Sequence, residues 1–409
     1  MDSTSTKAAT GKSVSGTKRL WMAIILGSLS AFGPLSLDMY LPALPALADD
    51  LDTSTSLAQL SLTACMLGLS LGQLLAGPLS DVRGRRMPLL VGLLVYAVSS
   101  VLCVWTTNIW AFLALRFIQG LAGAAGIVIS RAMVRDVYSG TELTKFFSLL
   151  MLVNGAAPIL APIIGAQILR FGEWPTVFIV LAAYGLLMLV AVGGGLGETL
   201  PPERRMAGGV GETLRTFKRL IADRTFMGYA LTQGFIMAGM FAYISGSPFV
   251  LQDIYGVSPQ TFSLVFALNG LGIILATQIT GRVAGKFGEA KLLVIGMGLA
   301  FIGGFVLLAM LAIEAPLAAV LPPLFFVVAS VGVVSTSGFS LALQNHGQNA
   351  GSASALLGLL SFIIGGIAAP FVGIAGEDTA LPLGIVIAIA ELSAVICYLL
   401  LVRGGRKQV

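Results

Sequence analysis

Apolar residues run through this chain in blocks of about twenty, the length a helix needs to cross a bilayer core. Short polar turns separate the blocks. The pattern predicts twelve spans, at 20–44, 57–79, 88–106, 109–130, 145–168, 175–196, 226–250, 261–284, 291–312, 317–340, 351–374 and 380–402. The longest polar stretch, 197–225, lies between the sixth and the seventh. It ends in a basic amphipathic piece, Thr213 to Arg224, and reads as a linker lying along a membrane surface. The expected organisation is a polar tail (1–19), a six-helix bundle (20–196), the linker (197–225), a second six-helix bundle (226–402) and a short tail (403–409). No small-residue cleavage site follows the first apolar run, so it is expected to be retained.

Composition narrows the class. The chain is 56% hydrophobic and 11% charged, where soluble proteins carry about a quarter charged residues. This describes an all-α polytopic membrane protein. The net charge of +5 does not point to nucleic acid, because the basic residues are spread over turns and tails. Of the 24 Lys and Arg, 22 fall on alternate turns, which the positive-inside rule places in the cytoplasm along with both termini. The other turns carry acids: Asp49, Asp50, Asp52, Glu173, Asp253, Glu314, Glu377 and Asp378. Cys65, Cys103 and Cys397 lie within apolar segments, with no metal-ligand spacing. The single histidine, His346, is expected in a solvated polar turn. No metal or cofactor is expected, and no catalytic cluster or large extramembrane domain supports an enzyme or a receptor.

The halves repeat at an offset of 204 residues: Gly77 and Gly84 correspond to Gly281 and Gly288, and Leu47, Asp49 and Ser54 to Leu251, Asp253 and Ser258. Parallel repeats of six spans imply a cavity between the halves at mid-membrane. The first copy carries a basic decapeptide, Gly77-Pro-Leu-Ser-Asp-Val-Arg-Gly-Arg-Arg86, expected as a tight surface turn between two antiparallel spans. In the second copy Gly285 replaces Asp81, so gating by an acidic turn should be stronger in the first half.

Three ionisable residues fall well inside spans: Asp38, Arg116 and Glu391. A charge at a helix centre costs roughly 2.5–3.5 kcal/mol on insertion scales, so such residues are functional candidates by default. Asp38 lies about 27 Å along the helix from Leu20, after Gly33 and Pro34 weaken it. It is either a solvated acid at the outer interface or a cavity carboxyl that takes a proton from one side and gives it to the other. Arg116, about 12 Å in from Asn108, stays charged and needs a partner; Asp38, backbone carbonyls or Gln119 could serve. Glu391 reads as a neutral acid bonded to a neighbouring helix. Cavity-lining candidates are Tyr40, Gln119, Asn154, Gln233, Met237, Phe241, Tyr243 and Asn269. Gln233, Met237 and Phe241 share one helix face, which is equally an ordinary packing stripe. Span five carries Gly155, Pro158, Pro162 and Gly165, which bend a helix and permit close packing.

The decapeptide resembles the signature loop of the major facilitator superfamily, through Gly77, Leu79, Asp81, Arg83, Gly84, Arg85 and Arg86. Arg116-Phe-Ile-Gln-Gly120 resembles the span-four motif of its drug:proton antiporters. The segment with Gly155, Pro158, Pro162 and Gly165 resembles their span-five motif, with Ala161 and Ala166 where glycine is usual. A narrower resemblance is to the bicyclomycin-resistance (Bcr/CflA) branch, through Leu37-Asp-Met-Tyr-Leu-Pro-Ala-Leu-Pro45, Glu198-Thr-Leu-Pro-Pro-Glu-Arg-Arg205, Ala238-Gly-Met-Phe241 with Ser247-Pro-Phe-Val250, and Ala350-Gly-Ser-Ala-Ser354. The resemblance implies a facilitator fold, export of small drug-like compounds against protons across a bacterial cytoplasmic membrane, and a monomer. It implies proton coupling at Asp38 and Arg116 and gating at the decapeptide. In related exporters a second acid can precede the Asp38 position; here Ser30 and Pro34 stand there. The alternative is a facilitator for one specific metabolite.

Overall fold

The computed structural model describes residues 16–138, 140–205, 210–344, 346, 350–376 and 379–403. Most of the two expected tails, Glu377 and Asp378 lie outside the described residues. Among those residues all regular structure is helical: α1 (Gly16–Ser30), α2 (Phe32–Asp38), α3 (Leu44–Asp50), α4 (Thr55–Arg83), α5 (Arg86–Val104), α6 (Ile109–Val137), α7 (Gly140–Ile168), α8 (Pro175–Gly195), α9 (Val210–Ala222), α10 (Arg224–Phe249), α11 (Pro259–Phe287), α12 (Glu289–Ala312), α13 (Leu317–Leu343), α14 (Ala350–Ala368) and α15 (Leu381–Cys397). Among the described residues ten helical stretches are long and apolar enough to cross a membrane. Trp21–Ser30 and Phe32–Asp50 form an eleventh as a pair bent by 41°, and α7 contributes the shorter apolar piece Leu152–Ile168.

The first span, expected as one weakened helix over 20–44, is broken twice, at Ala31 and at Met39–Tyr40. Pro34 has no N–H for the Ser30 carbonyl. The hydroxyls of Ser30 and Ser36 turn back onto the Gly27 and Phe32 carbonyls, at 2.7 and 2.5 Å, and Pro42 opens a tight turn over Leu41–Ala43. The chain then continues as helix to Asp50, beyond the expected boundary.

The decapeptide is less of a turn than its charges suggested. α4 runs through Pro78 to Arg83, leaving only Gly84 and Arg85 before α5 begins. Polarity marks where the membrane ends, not where the helix ends. Gly84 turns the chain at φ 91°, and Gly288 does the same between α11 and α12 at φ 80°, a region that costs side-chain-bearing residues but not glycine. α4 and α11 are displaced by 204 residues at both ends. Their N-caps, Ser54 and Ser258, each accept the N–H three residues on, so the weak sequence repeat marks a repeat in backbone structure.

Small residues set the closest crossings. A methyl group on Gly68 of α4 would strike the Phe117 carbonyl of α6, and one on Gly120 of α6 the Cys65 carbonyl of α4. Such sites let helix backbones touch where no hydrophobic force separates lipid from protein. α1–α8 pack chiefly on one another, as do α10–α15. The two groups meet where α4 faces α14, where α7 faces α11, and where the Leu41–Ala43 turn meets α10 and α11. α9 rests on α10 and α14 with Phe217 and Leu220 buried and Arg215, Lys218 and Arg219 exposed.

Candidate functional site

The ends of the molecule differ. One face carries the basic turns, including Arg83, Arg85, Arg86, Arg135 and Lys286; the other carries Asp49, Asp50, Asp253 and Glu314. At the acidic face the two helix groups are stitched together. Pro370 has no N–H, so the Gly366 carbonyl one turn back in α14 has no helical donor. Thr63 of α4 supplies one, its hydroxyl donating to Gly366 at 2.8 Å. Ser56 of α4 donates to the Pro370 carbonyl at 2.5 Å, and Gln260 of α11 to the Ala166 carbonyl of α7 at 2.9 Å. Towards the basic face the groups part. A cleft of about 290 Å³ opens between α4, α6 and α14, lined by Ser70, Gln73, Arg131, Ser354 and Phe362 among others. Arg131 is its one charged lining residue among those described, and its Nε has no hydrogen-bond partner.

Asp38 closes α2 at the second break of the first span, 6% exposed. Among the described residues no hydrogen bond or ion pair reaches its carboxyl. Cys65 and Tyr243 lie within its electrostatic reach. Tyr243, on α10, accepts a hydrogen bond from Asn269 at 2.9 Å and stacks on Phe266. The break thus sets Asp38 close to α10, across the seam between the two groups. The reading of Asp38 as a merely solvated interfacial acid does not survive this burial.

Arg116 is fully buried and does not pair with Asp38. One guanidinium nitrogen donates to the Ser36 carbonyl at 2.7 Å and the other to Gln119 Oε1. The cation lies 4.3 Å from the centre of the Tyr40 ring and 5.5 Å from that of Phe178, contacts worth about 2 kcal/mol when desolvated. Behind them Gln119 donates to Ser100 at 2.7 Å, Ser36 bonds Tyr96, and Tyr40 bonds Ser61. Of the three partners open on sequence, backbone and Gln119 are right and Asp38 is not. Tyr40 and Gln119, expected to line the cavity, instead hold this arginine. The Arg116 network grips the helix just before Asp38, so it positions the acid without pairing with it.

The other candidates scatter. Asn154 donates to Leu150 of its own helix. Gln233 is buried against Gly338 of α13 with its Oε1 unpartnered. Met237 is half-buried and packs against the core of the second helix group. Phe241 packs at a tilt against Phe362, with ring centres 5.6 Å apart, and fills the space that Gly365 leaves. In α7, Gly155 faces Ile274 of α11, Pro158 and Pro162 lie inside the helix, and Gly165 accommodates the Met39 carbonyl, which any side chain there would strike. Glu391 is buried with both oxygens unpartnered, so the expected bond to a neighbouring helix is absent.

At the basic face Arg85 donates to Asp81 at 2.5 Å and to Asp136 of α6 at 2.9 Å. Burial opposes its charge, but the two carboxylates outweigh that and hold its pKa above the ordinary value. Glu198, in the linker, accepts the backbone N–H groups of Arg85, Arg86, Thr199 and Leu200 at 2.8 to 3.1 Å. Partial burial pushes its carboxyl up, and these N–H groups pull it net below the usual range. Arg86 donates to the Gly193 carbonyl of α8, while Arg83 is exposed. Glu198 has no role assigned on sequence alone, and Asp136 is absent from the sequence candidates. The signal for Asp136 was there: an acid beside Arg135, just past a span, where only an ion pair or water suits it. His346 is half-buried rather than freely solvated: it lies 3.3 Å from Asp223 and edge-on to Phe226.

The sequence matches the family model described as Major Facilitator Superfamily over residues 23–370. It is 50% identical to the uncharacterized MFS-type transporter YdgK of Bacillus subtilis, over 90% of this chain and 92% of that protein. It is 32% identical to a bicyclomycin resistance protein homolog of Haemophilus influenzae, over 94% and 96%. Among solved structures it resembles a bacterial homolog of the human lysosomal transporter Spinster in an inward-facing, unoccupied conformation, with a TM-score of 0.70 and 16% identity over 95% of this chain and 96% of that one. The broken, glycine-crossed helices, the capped repeat and the buried arginine thus belong to a multi-pass membrane transporter rather than an enzyme: the chain is a member of the Major Facilitator Superfamily.

Proposed function

We propose that this protein exports small amphipathic, drug-like compounds from the bacterial cytoplasm across the inner membrane in exchange for protons. The observation that carries the reading is Asp38: a buried carboxyl without a partner, at a break in the first span, against the opposite helix group. A carboxyl so placed can take a proton when the cavity faces one side and lose it when the cavity faces the other. The bicyclomycin resistance homolog supports the substrate class. The cleft supports its character: it mixes apolar walls with Arg131, which suits neutral or acidic amphipathic compounds and disfavours cations.

With the basic face in the cytoplasm, the cleft faces inward and the acidic face is the closed gate. Drug enters the cleft while Asp38 is deprotonated; rocking of the two helix groups then exposes it outward, and protonation of Asp38 favours release and return. The proton is the coupling ion and no cofactor takes part. One charge moving through ~150 mV is worth roughly 3.4 kcal/mol, which for a neutral drug sustains a gradient of about 300-fold.

The test is proteoliposomes of the purified protein with an imposed pH gradient and a panel that includes bicyclomycin. At least one compound should drive proton flux, and Asp38→Asn should abolish that flux while compound binding persists. No flux across the panel, or full flux in Asp38→Asn, refutes proton-driven drug export.

A further inference from the structure

α15 is apolar from end to end except at Glu391 and Ser393. Ser393 bonds a carbonyl of its own helix. Glu391 does not: it is 1% exposed and neither oxygen has a hydrogen-bond partner. Two glycines on two other helices make room for it. A methyl group on Gly239 of α10 would sit 2.7 Å from its Oε1, and one on Gly304 of α12 would sit 3.3 Å from its Cγ. The charged groups on the packed elements lie at their ends: Arg224 at one end of α10 and Asp253 beyond the other, Glu289 and Lys291 at the start of α12, and Arg403 after α15. The Ala369–Gly373 turn carries none. No described charge faces Glu391.

A structural role explains this poorly. An ionised carboxylate here would lack both counter-charge and donor, the costly case for a buried ion. A neutral acid would hold a proton with no acceptor. A leucine or glutamine at this position would pack without the first of these penalties. What the site does offer is a proton-holding group on a helix interface that can move. α10 carries Gly228, Gly234, Gly239, Gly246 and Pro248 along its length, and it ends in a wide helical turn over Val250–Ile254. One helical turn beyond Gly239 it carries Tyr243, within reach of Asp38. α10 thus borders both Asp38 and Glu391, so a shift of this helix would change the surroundings of both.

We propose that Glu391 is a second proton-binding site of this transporter, closed in the arrangement seen here and exchanging its proton with water when α10 shifts against α12 and α15. The step is a simple protonation: carboxylate plus a proton from water gives the acid, and the reverse returns it. The proposal rests on the reading that transport is proton-coupled, but its test does not need a transported compound.

Infrared spectroscopy of the full-length protein in lipid nanodiscs reads the C=O stretch of protonated carboxyls directly. A band present in the wild type and lost in Glu391→Gln should shift on transfer to D₂O and fade as pH is raised. Asp38→Asn should remove a different band and leave this one, so the two sites fail or stand separately. Gly239→Ala presses on Oε1 and should move the Glu391 band, which keeps the test available if Glu391→Gln does not fold. Absence of any band lost with Glu391, or a band that neither exchanges with deuterium nor titrates, overturns the proposal and leaves a sealed structural acid.

Discussion

The stitching at the acidic face makes a quantitative prediction about Thr63. Its hydroxyl serves the Gly366 carbonyl that Pro370 leaves without a donor. Thr63→Val keeps the shape and removes the donor. In the closed arrangement the Gly366 carbonyl is then buried and unsatisfied, a penalty of about 1–3 kcal/mol. In an arrangement open at the acidic face water reaches the same carbonyl, so the penalty falls on one state only. The equilibrium should move towards the open state by roughly 5- to 150-fold, a tenfold change being about 1.4 kcal/mol. Spin labels at Phe171 and Ile313, exposed turn residues on the acidic face of the two helix groups (89% and 69% exposed), report the separation. The background carries Cys397→Ser, since Cys65 and Cys103 are buried. Thr63→Val should increase the long-distance population of the label pair. The control is Ser245→Ala. Ser245 of α10 donates to the neighbouring Ala369 carbonyl at 3.1 Å, within one helix group, so its loss should lower stability without opening the gate. An unchanged distance distribution in Thr63→Val, or an equal shift in Ser245→Ala, refutes the assignment of this bond to the gate.

Other changes follow from the same geometry. Arg116→Lys keeps the charge but not the fork that spans the Ser36 carbonyl and Gln119. Thermal unfolding in detergent should show a loss of about 2–4 kcal/mol, and pH-driven transport should fall with Asp38 still intact. Gly165→Ala drives a methyl into the Met39 backbone, which has no side-chain freedom to yield; overpacking of about 1–3 kcal/mol should lower the melting temperature, whereas Gly194→Ala, with open space around it, should leave it unchanged. Glu198→Gln should destabilise the basic face at neutral pH. Because the folded carboxyl titrates below its usual range, its contribution is present above the unfolded value of about 4.3 and lost as pH falls through the folded value. The melting-temperature gap between wild type and Glu198→Gln should therefore close in acid.

How much of this was legible in the sequence depended on which forces set each feature. Span positions and the repeat were legible because hydrocarbon tolerates only long apolar helices, and Ser54, Gly84 and their copies 204 residues on are locally determined cap and turn residues. The extent of α4 is not legible from polarity, because Asp81 and Arg83 ride a helix that projects past the membrane and their charges look like a turn. Asp38 and Arg116 were identifiable as intramembrane charges, but their relation was not. Pairing needs coordinates, and a guanidinium can be satisfied by a carbonyl, an amide and an aromatic face as well as by an acid. Thr63 and Ser56 carried no signal, because their partners are backbone carbonyls more than 300 residues away.

These pieces connect through the prolines. Pro34 and Pro42 break the first span so that Asp38 ends a helix facing α10, and Pro370 ends α14 so that a bare carbonyl faces Thr63. The first-span break is served within its own helix group, by Arg116 on the Ser36 carbonyl, whereas the break at Pro370 leaves a carbonyl that Thr63 of the other group serves across the seam. A continuous helix at Pro370 would satisfy itself and need nothing from α4, so that contact would carry no state preference. Replacing Pro370 with alanine would restore the donor to Gly366 and make the Thr63 hydroxyl redundant. In that background Thr63→Val should lose its effect on the Phe171–Ile313 distance, a non-additivity that two independent packing defects would not produce.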